Sequence, residues 1–239
     1  MNVVLLEPGE VRSDGGASLD GRRAEHVAKV LGKAPGDALT VGVRGGKLGS
    51  ARVVSSTKQA LELEACVFER EPAPKRPITL VLALPRPPVF RRLLQHVTAL
   101  GIERLVLLHT RRVEKSYWMS PSLEPTAIDA QIQLGLEQAL DTVAPQVERA
   151  RGFKAFVDER LPELAHDARV LVAHPGPFPP CPVDTAGPVV LLVGPEGGFI
   201  PYEVERLTEA GAQGVSLGPR ILRVETATLA LLGRLGASA

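Results

Sequence analysis

The sequence predicts an α/β protein in two parts, a small β module followed by a larger domain built on a parallel sheet covered by helices. Three observations predict it. Residues 1–70 alternate apolar and polar side chains with a period of two around glycine turns. A proline-rich stretch follows, Arg70-Glu71-Pro72-Ala73-Pro74-Lys75-Arg76-Pro77. Beyond it, short continuous apolar runs alternate with segments of helical periodicity.

Each element has its own warrant. In the β module, Leu39, Val41 and Val43 alternate with other residues, Gly45-Gly46 offers a hairpin turn, and Val53-Val54 follows. Leu61, Leu63, Ala65 and Val67 then alternate with Glu62, Glu64 and Cys66. A short helix fits 23–31, and the whole suits a small barrel or sandwich. Prolines fix φ and remove backbone donors, so 71–77 reads as a stiff linker into a domain spanning 78–239. Residues 78–84 form a continuous apolar run, as a strand covered on both faces requires. A helix begins near Pro88, with Phe90, Leu93, Leu94 and Val97 at i, i+3, i+4 and i+7 and Gly101 as its stop. Residues 105–108 are the next strand. Further helices are expected near 124–143, 155–165, 202–211 and 226–235, and further strands at 170–173, 189–193 and 215–217.

The 239 residues carry 28 Lys plus Arg against 27 Asp plus Glu, a net charge of +1. That balance excludes a polybasic protein that coats nucleic acid, and as a total it points away from a nucleic-acid partner. Its distribution points the other way. Residues 76–120 hold eight basic and two acidic side chains, a local +6, whereas 121–184 hold five basic and ten acidic, a local −5. A modest total with one basic segment suits engagement of a single structured site. No apolar run approaches the ~18 residues of a membrane span. The start, Met1-Asn2-Val3-Val4-Leu5-Leu6, lacks the basic region and length of a signal peptide. Cys66 and Cys181 stand alone, which predicts a reducing, cytoplasmic setting and no zinc site. His26, His96, His109, His166 and His174 show no metal-ligand spacing and read as scattered surface or core residues, so no metal is expected.

Three segments carry chemistry. The first is the apolar strand 189–193 running into Gly194-Pro195-Glu196-Gly197-Gly198-Phe199. Ligands of open α/β sheets bind beyond the C-terminal ends of strands, and glycine lets backbone approach them closely. The loop has no dinucleotide or P-loop fingerprint and no cation for phosphate, and its only charge is Glu196, so it suits a neutral or cationic ligand. An ordinary strand–helix turn has the same composition. The second is Leu217-Gly218-Pro219-Arg220-Ile221-Leu222-Arg223-Val224-Glu225-Thr226-Ala227. Its arginines can orient an anionic or carbonyl-rich substrate, or simply pair with Glu225 at a helix start. The third, Arg111-Arg112-Val113-Glu114-Lys115-Ser116-Tyr117-Trp118, interleaves cations with rings, as stacking on unpaired bases requires and as a packed loop also does.

The first two motifs at this spacing resemble the RsmE family, SPOUT-superfamily methyltransferases that modify N3 of a uridine in 16S ribosomal RNA of the small subunit. Glu25-His26-Val27-Ala28-Lys29-Val30-Leu31 with Pro35-Gly36-Asp37 is similar to the family's N-terminal PUA-like domain. Thr98-Ala99-Leu100-Gly101 and Glu137-Gln138, with Pro145 following, are similar to its central motifs. The chain departs from the family pattern at Glu25, Gly32, Ala99 and Asp141. The resemblance implies a trefoil-knotted domain, a homodimer, and S-adenosyl-L-methionine as cofactor. By position, Leu192, Gly194, Glu196, Gly197, Leu217, Gly218, Ile221 and Leu222 would hold that cofactor. Arg223 or Arg220 would stabilise charge on the uracil, and Glu225 is a candidate base with helix capping or dimer pairing as the alternative. Arg22, Arg23, His26, Arg86, Arg111, Arg112, Lys115, Tyr117 and Trp118 are the RNA-facing candidates. A SPOUT enzyme acting on a ribose 2′-hydroxyl of another RNA, and a non-catalytic ribosome assembly factor, are the competing readings.

Overall fold

The alternating apolar residues of the first part form strands Val4–Leu6 (β1), Ala17–Asp20 (β2), Ala38–Val43 (β3), Leu48–Ser56 (β4) and Ala60–Arg70 (β5), with helix Gly21–His26 (α1) between β2 and β3. In this computed structural model, which describes residues 2–236, they make a five-stranded sheet in the order β1-β3-β4-β5-β2, curled as a half-barrel. Pairing is antiparallel except for β1 with β3, where Val4 faces Val41. One face of each strand is apolar, and Val4, Leu6, Leu19, Val41, Val53, Leu61 and Leu63 meet in one core with Ala24 and Val27 of the helical segment. The expected 23–31 helix is α1 continued by a π-helical turn, Val27–Leu31, and it is closed by Gly32 at φ 60, a left-handed position that glycine adopts without strain. The departure at Gly32 thus has a local cause. Glu25 likewise pairs with Lys29 one turn on.

The second part alternates strand and helix except between β9 and β10, which no helix separates. Arg76–Ala83 (β6), Pro87–Ala99 (α2), Ile102–Leu108 (β7), Pro125–Ala139 (α3), Gln146–Ala150 (β8), Phe153–Ala155 (α4), Leu161–Leu164 (α5), Arg169–Ala173 (β9), Val189–Val193 (β10), Pro201–Glu209 (α6), Gln213–Val215 (β11) and Val224–Leu235 (α7) follow in turn. Their strands form a six-stranded sheet, β11-β9-β10-β6-β7-β8, parallel throughout. All five residues of β10 are buried, which is why that strand is a continuous apolar run. Phe90, Leu93, Leu94 and Val97 are the buried stripe of α2, as their spacing predicts.

By contacts the chain divides into Met1–Pro74 with Ile132–Ala144, and Lys75–Gln131 with Pro145–Ala239. The end of α3 therefore groups with the first unit. After it, Leu140 turns at φ 56 and the Asp141 carboxylate accepts the amides of Thr142 and Val143 at 2.7 and 3.0 Å, so this departure also has a local structural use. β6 starts at Arg76, inside the stretch expected to be linker. Arg76 N–H donates to the Gly101 carbonyl at 2.9 Å, and Pro77 falls at a ladder irregularity where no donor is needed. In the β9–β10 connection, Cys181 N–H donates to the Ser216 carbonyl at 2.8 Å and Asp184 N–H to that of Arg234 at 3.0 Å, tying it to the chain on both sides of the α7 start. Among the described residues no helix is long and apolar enough to cross a membrane.

Candidate active site

Strands β9, β10 and β11 run in one direction and end side by side. The segments that leave them line a cleft of about 330 Å³. Its floor and walls are apolar, with Val193, Val215 and Leu231 each buried. The glycine loop after β10 folds back on itself, and a Cβ on Gly194 would lie 2.9 Å from the Phe199 nitrogen. Backbone fills that space, so glycine is required there.

Three side chains hold this loop. Glu196 accepts from the Arg86 backbone N–H at 3.1 Å and from its guanidinium at 3.3 Å. Arg112 lies over Gly197, where a Cβ would approach Arg112 Cδ to 2.9 Å, and its guanidinium donates to the Gly197 carbonyl. Glu203, in the first turn of α6, accepts the Ile200 amide at 3.0 Å and the Arg111 amide at 2.7 Å while only 2% exposed. A buried carboxylate is tolerable only when hydrogen-bonded in this way.

Of the cofactor candidates, Gly194, Glu196, Gly197, Leu217, Gly218, Ile221 and Leu222 all line the cleft. Leu192 does not. It is fully buried within β10, and Val193 forms the wall instead. Ile221 stands 88% exposed on the β11–α7 loop. Arg220 lines the cleft and Arg223 and Glu225 do not. Arg223 is the N-cap residue of α7, and Glu225 faces Arg92 of α2 at 3.9 Å. Sequence reasoning missed His174 and Glu203. His174 was expected to be incidental, yet it follows β9 directly and forms part of the cleft wall, with Nδ1 on the Pro175 carbonyl at 2.6 Å. Glu203 carried a usable signal, an acidic residue two places after a helix-starting proline.

The basic and aromatic segment after β7 divides. Arg111, Arg112 and Lys115 are exposed. Tyr117 is half-buried and donates to Glu114 at 3.2 Å, and burial first, then that bond, pushes its phenol above the ordinary value. Trp118 is turned inward. Its indole N–H donates to His109 Nδ1 at 2.8 Å and the Arg151 guanidinium sits 5.3 Å from its ring, so packing explains this ring and no face is offered to a base. In the first unit, Arg22 pairs with the buried Glu137 at 2.7 Å. Arg23 is bidentate on Glu10 and also bonds the Leu5 carbonyl, so its guanidinium is occupied, and it holds the Glu10 carboxyl below its usual value. His26 is half-buried on α1. Among the described residues no cluster of three His, Cys, Asp or Glu side chains forms a metal site.

Residues 71–236 match the RNA methyltransferase domain family. Over 236 residues the chain is 30% identical to the ribosomal RNA small subunit methyltransferase E of Treponema pallidum, covering 96% of this chain and 88% of that protein. The chain belongs to the ribosomal RNA small subunit methyltransferase E family. The family's enzyme from Neisseria gonorrhoeae, solved bound to S-adenosyl methionine, superposes with a TM-score of 0.75 at 25% identity, covering 98% of this chain and 95% of that one. A Legionella pneumophila methyltransferase solved with its bound cofactor SAM gives the same TM-score and identity over 99% and 97%.

Proposed function

We propose that this chain transfers a methyl group from S-adenosylmethionine to N3 of a uridine in 16S ribosomal RNA of the small subunit, in the cytoplasm. The observation that carries this reading is that both family motifs converge on one cleft at the ends of β9, β10 and β11. The cleft fits the cofactor. Its ~330 Å³ is within the range of small-molecule sites. Val193, Val215 and Leu231 suit an adenosine, close backbone suits a ligand held by amides, and acidic Glu196 at the rim suits a cation. When bound, S-adenosylmethionine supplies a methyl group on positively charged sulfur.

The protein's part is positioning and charge. A uridine extruded from its stack presents N3, and loss of the N3 proton spreads negative charge onto O2 and O4. Arg220, which lines the cleft, would meet that charge, with Arg223 three residues further along the chain as the alternative. Glu225, in the first turn of α7 and facing Arg92, is the candidate base. Exposed Arg111, Arg112, Lys115 and half-buried Tyr117, with Arg86 beside the glycine loop, form the RNA-facing edge of the cleft.

The same reading makes the first part a PUA-like RNA-binding module with Arg22 and His26 toward RNA, Arg23 being held by Glu10, and makes the parallel-sheet part a knotted methyltransferase domain. The double tie of the β9–β10 connection to Ser216 and Arg234 supports a threaded chain. Ile221, a large apolar residue 88% exposed at the cleft, supports a homodimer with the site at its interface. The test is incubation of the protein with small ribosomal subunits and S-adenosylmethionine, followed by nucleoside mass mapping. N3-methyluridine is expected from the native chain, and at least tenfold less from Arg220→Ala or Arg223→Ala. Formation of 2′-O-methyluridine instead would overturn the base-methylation reading.

A further inference from the structure

Glu203 is the feature of the cleft that the reading above leaves unassigned. It does not line the cleft, yet it joins two segments that carry lining residues. One carboxylate oxygen takes the Arg111 amide at 2.7 Å and the other takes the Ile200 amide at 3.0 Å. Ile200 ends the glycine loop. Arg111 precedes Arg112, whose guanidinium returns to the Gly197 carbonyl of that same loop. The contacts close a ring: 203 to 111, 112 to 197, and 200 back to 203. Only a carboxylate supplies two acceptor oxygens at this spacing. Glutamine supplies one, and its NH₂ would confront a backbone N–H. At 2% exposure no water replaces the missing acceptor.

We propose that Glu203 is the positioning residue that sets Arg112 against the glycine loop, and so fixes where the RNA-facing edge lies relative to the methyl donor. The inference rests on the reading of the cleft as the donor and RNA site. Glu203 acts through Arg112. Gly197 belongs to the same device, because any side chain there would displace the arginine.

A double-mutant cycle tests it. Affinity for S-adenosylmethionine is measured by calorimetry, affinity for small ribosomal subunits without cofactor by filtration, and melting temperature alongside, for the native chain, E203Q, R112A and E203Q/R112A. Binding of S-adenosylmethionine by the native chain upholds the reading of the cleft, and its absence sinks both that reading and this inference. With binding in place, E203Q and R112A should each weaken subunit affinity by about tenfold, with a smaller effect on cofactor affinity. The double variant should be no weaker than R112A within about twofold. Multiplying losses in the double variant, or an E203Q that melts earlier with subunit affinity intact, would overturn the proposal. If E203Q does not fold, Glu203→Asp, too short to reach both amides, enters the same cycle with the same expected outcomes.

Discussion

Two glycines of the same loop meet different neighbours, and that difference separates their roles. A Cβ on Gly194 would lie 2.9 Å from the Phe199 nitrogen and 3.1 Å from Gly198 Cα, both backbone atoms that cannot yield without opening the loop. A Cβ on Gly197 would meet only the Arg112 side chain, which can swing away. Overpacking against fixed atoms costs about 1–3 kcal/mol. Gly194→Ala should therefore lower stability by about that amount and weaken S-adenosylmethionine binding about tenfold or more. Gly197→Ala should keep its melting temperature and lose RNA affinity as Arg112 is pushed aside. Calorimetry and thermal melts on the two variants decide the matter, and equal melting temperatures for both would refute the distinction.

At the scale of elements, the ends of α2 and α7 are joined by one cation. Arg76 donates to the Leu232 carbonyl at 2.5 Å and reaches the Leu100 carbonyl at 3.5 Å, close to the C-terminal ends of both helices, where positive charge is favoured. Gly236 packs so closely that a Cβ there would sit 1.6 Å from the guanidinium. Charged hydrogen bonds of this kind contribute about 1.5–3 kcal/mol. Arg76→Met and Gly236→Ala should each lower the urea midpoint, and together do little more than Arg76→Met alone. Independent losses would show that the two residues do not share one contact. This element pairing was not legible in the sequence, where Arg76 read as linker. What was legible followed from covered strands and local motifs: β10 and residues 80–83 of β6 are apolar because both faces are buried, and Gly194 stands where only backbone fits. β8, Gln146–Ala150, escaped because an edge strand needs no apolar run. Glu203 was legible as a helix-start residue, two places after Pro201, but its tie to Arg111, 92 positions away, has no local pattern.

Over the whole molecule, the charge separation along the chain gains meaning from what the structure does with each cation. Of the eight basic residues in 76–120, Arg76 bonds helix carbonyls, Arg104 pairs with Glu148, Arg92 faces Glu225, Arg86 holds Glu196, Arg112 bonds the Gly197 carbonyl and Arg91 is exposed on α2. Arg111 and Lys115 remain exposed beside the half-buried Tyr117, while the neighbouring Trp118 serves the interior. Phosphate contact and base stacking leave different signatures. Each cation on a single strand contributes about 0.7 to the slope of log affinity against log salt, whereas stacking contributes about 1–3 kcal/mol with no salt term. For a uridine-containing fragment of 16S RNA, Lys115→Ala should therefore reduce the magnitude of that slope by about 0.7. Tyr117→Ala should weaken binding at every salt concentration and leave the slope alone. Trp118→Ala should instead lower the melting temperature, because its indole bond to His109 and its contact with Arg151 are internal. An unchanged slope for Lys115→Ala would remove this segment from the RNA interface and return the +1 total to its first meaning, a protein without an electrostatic hold on nucleic acid.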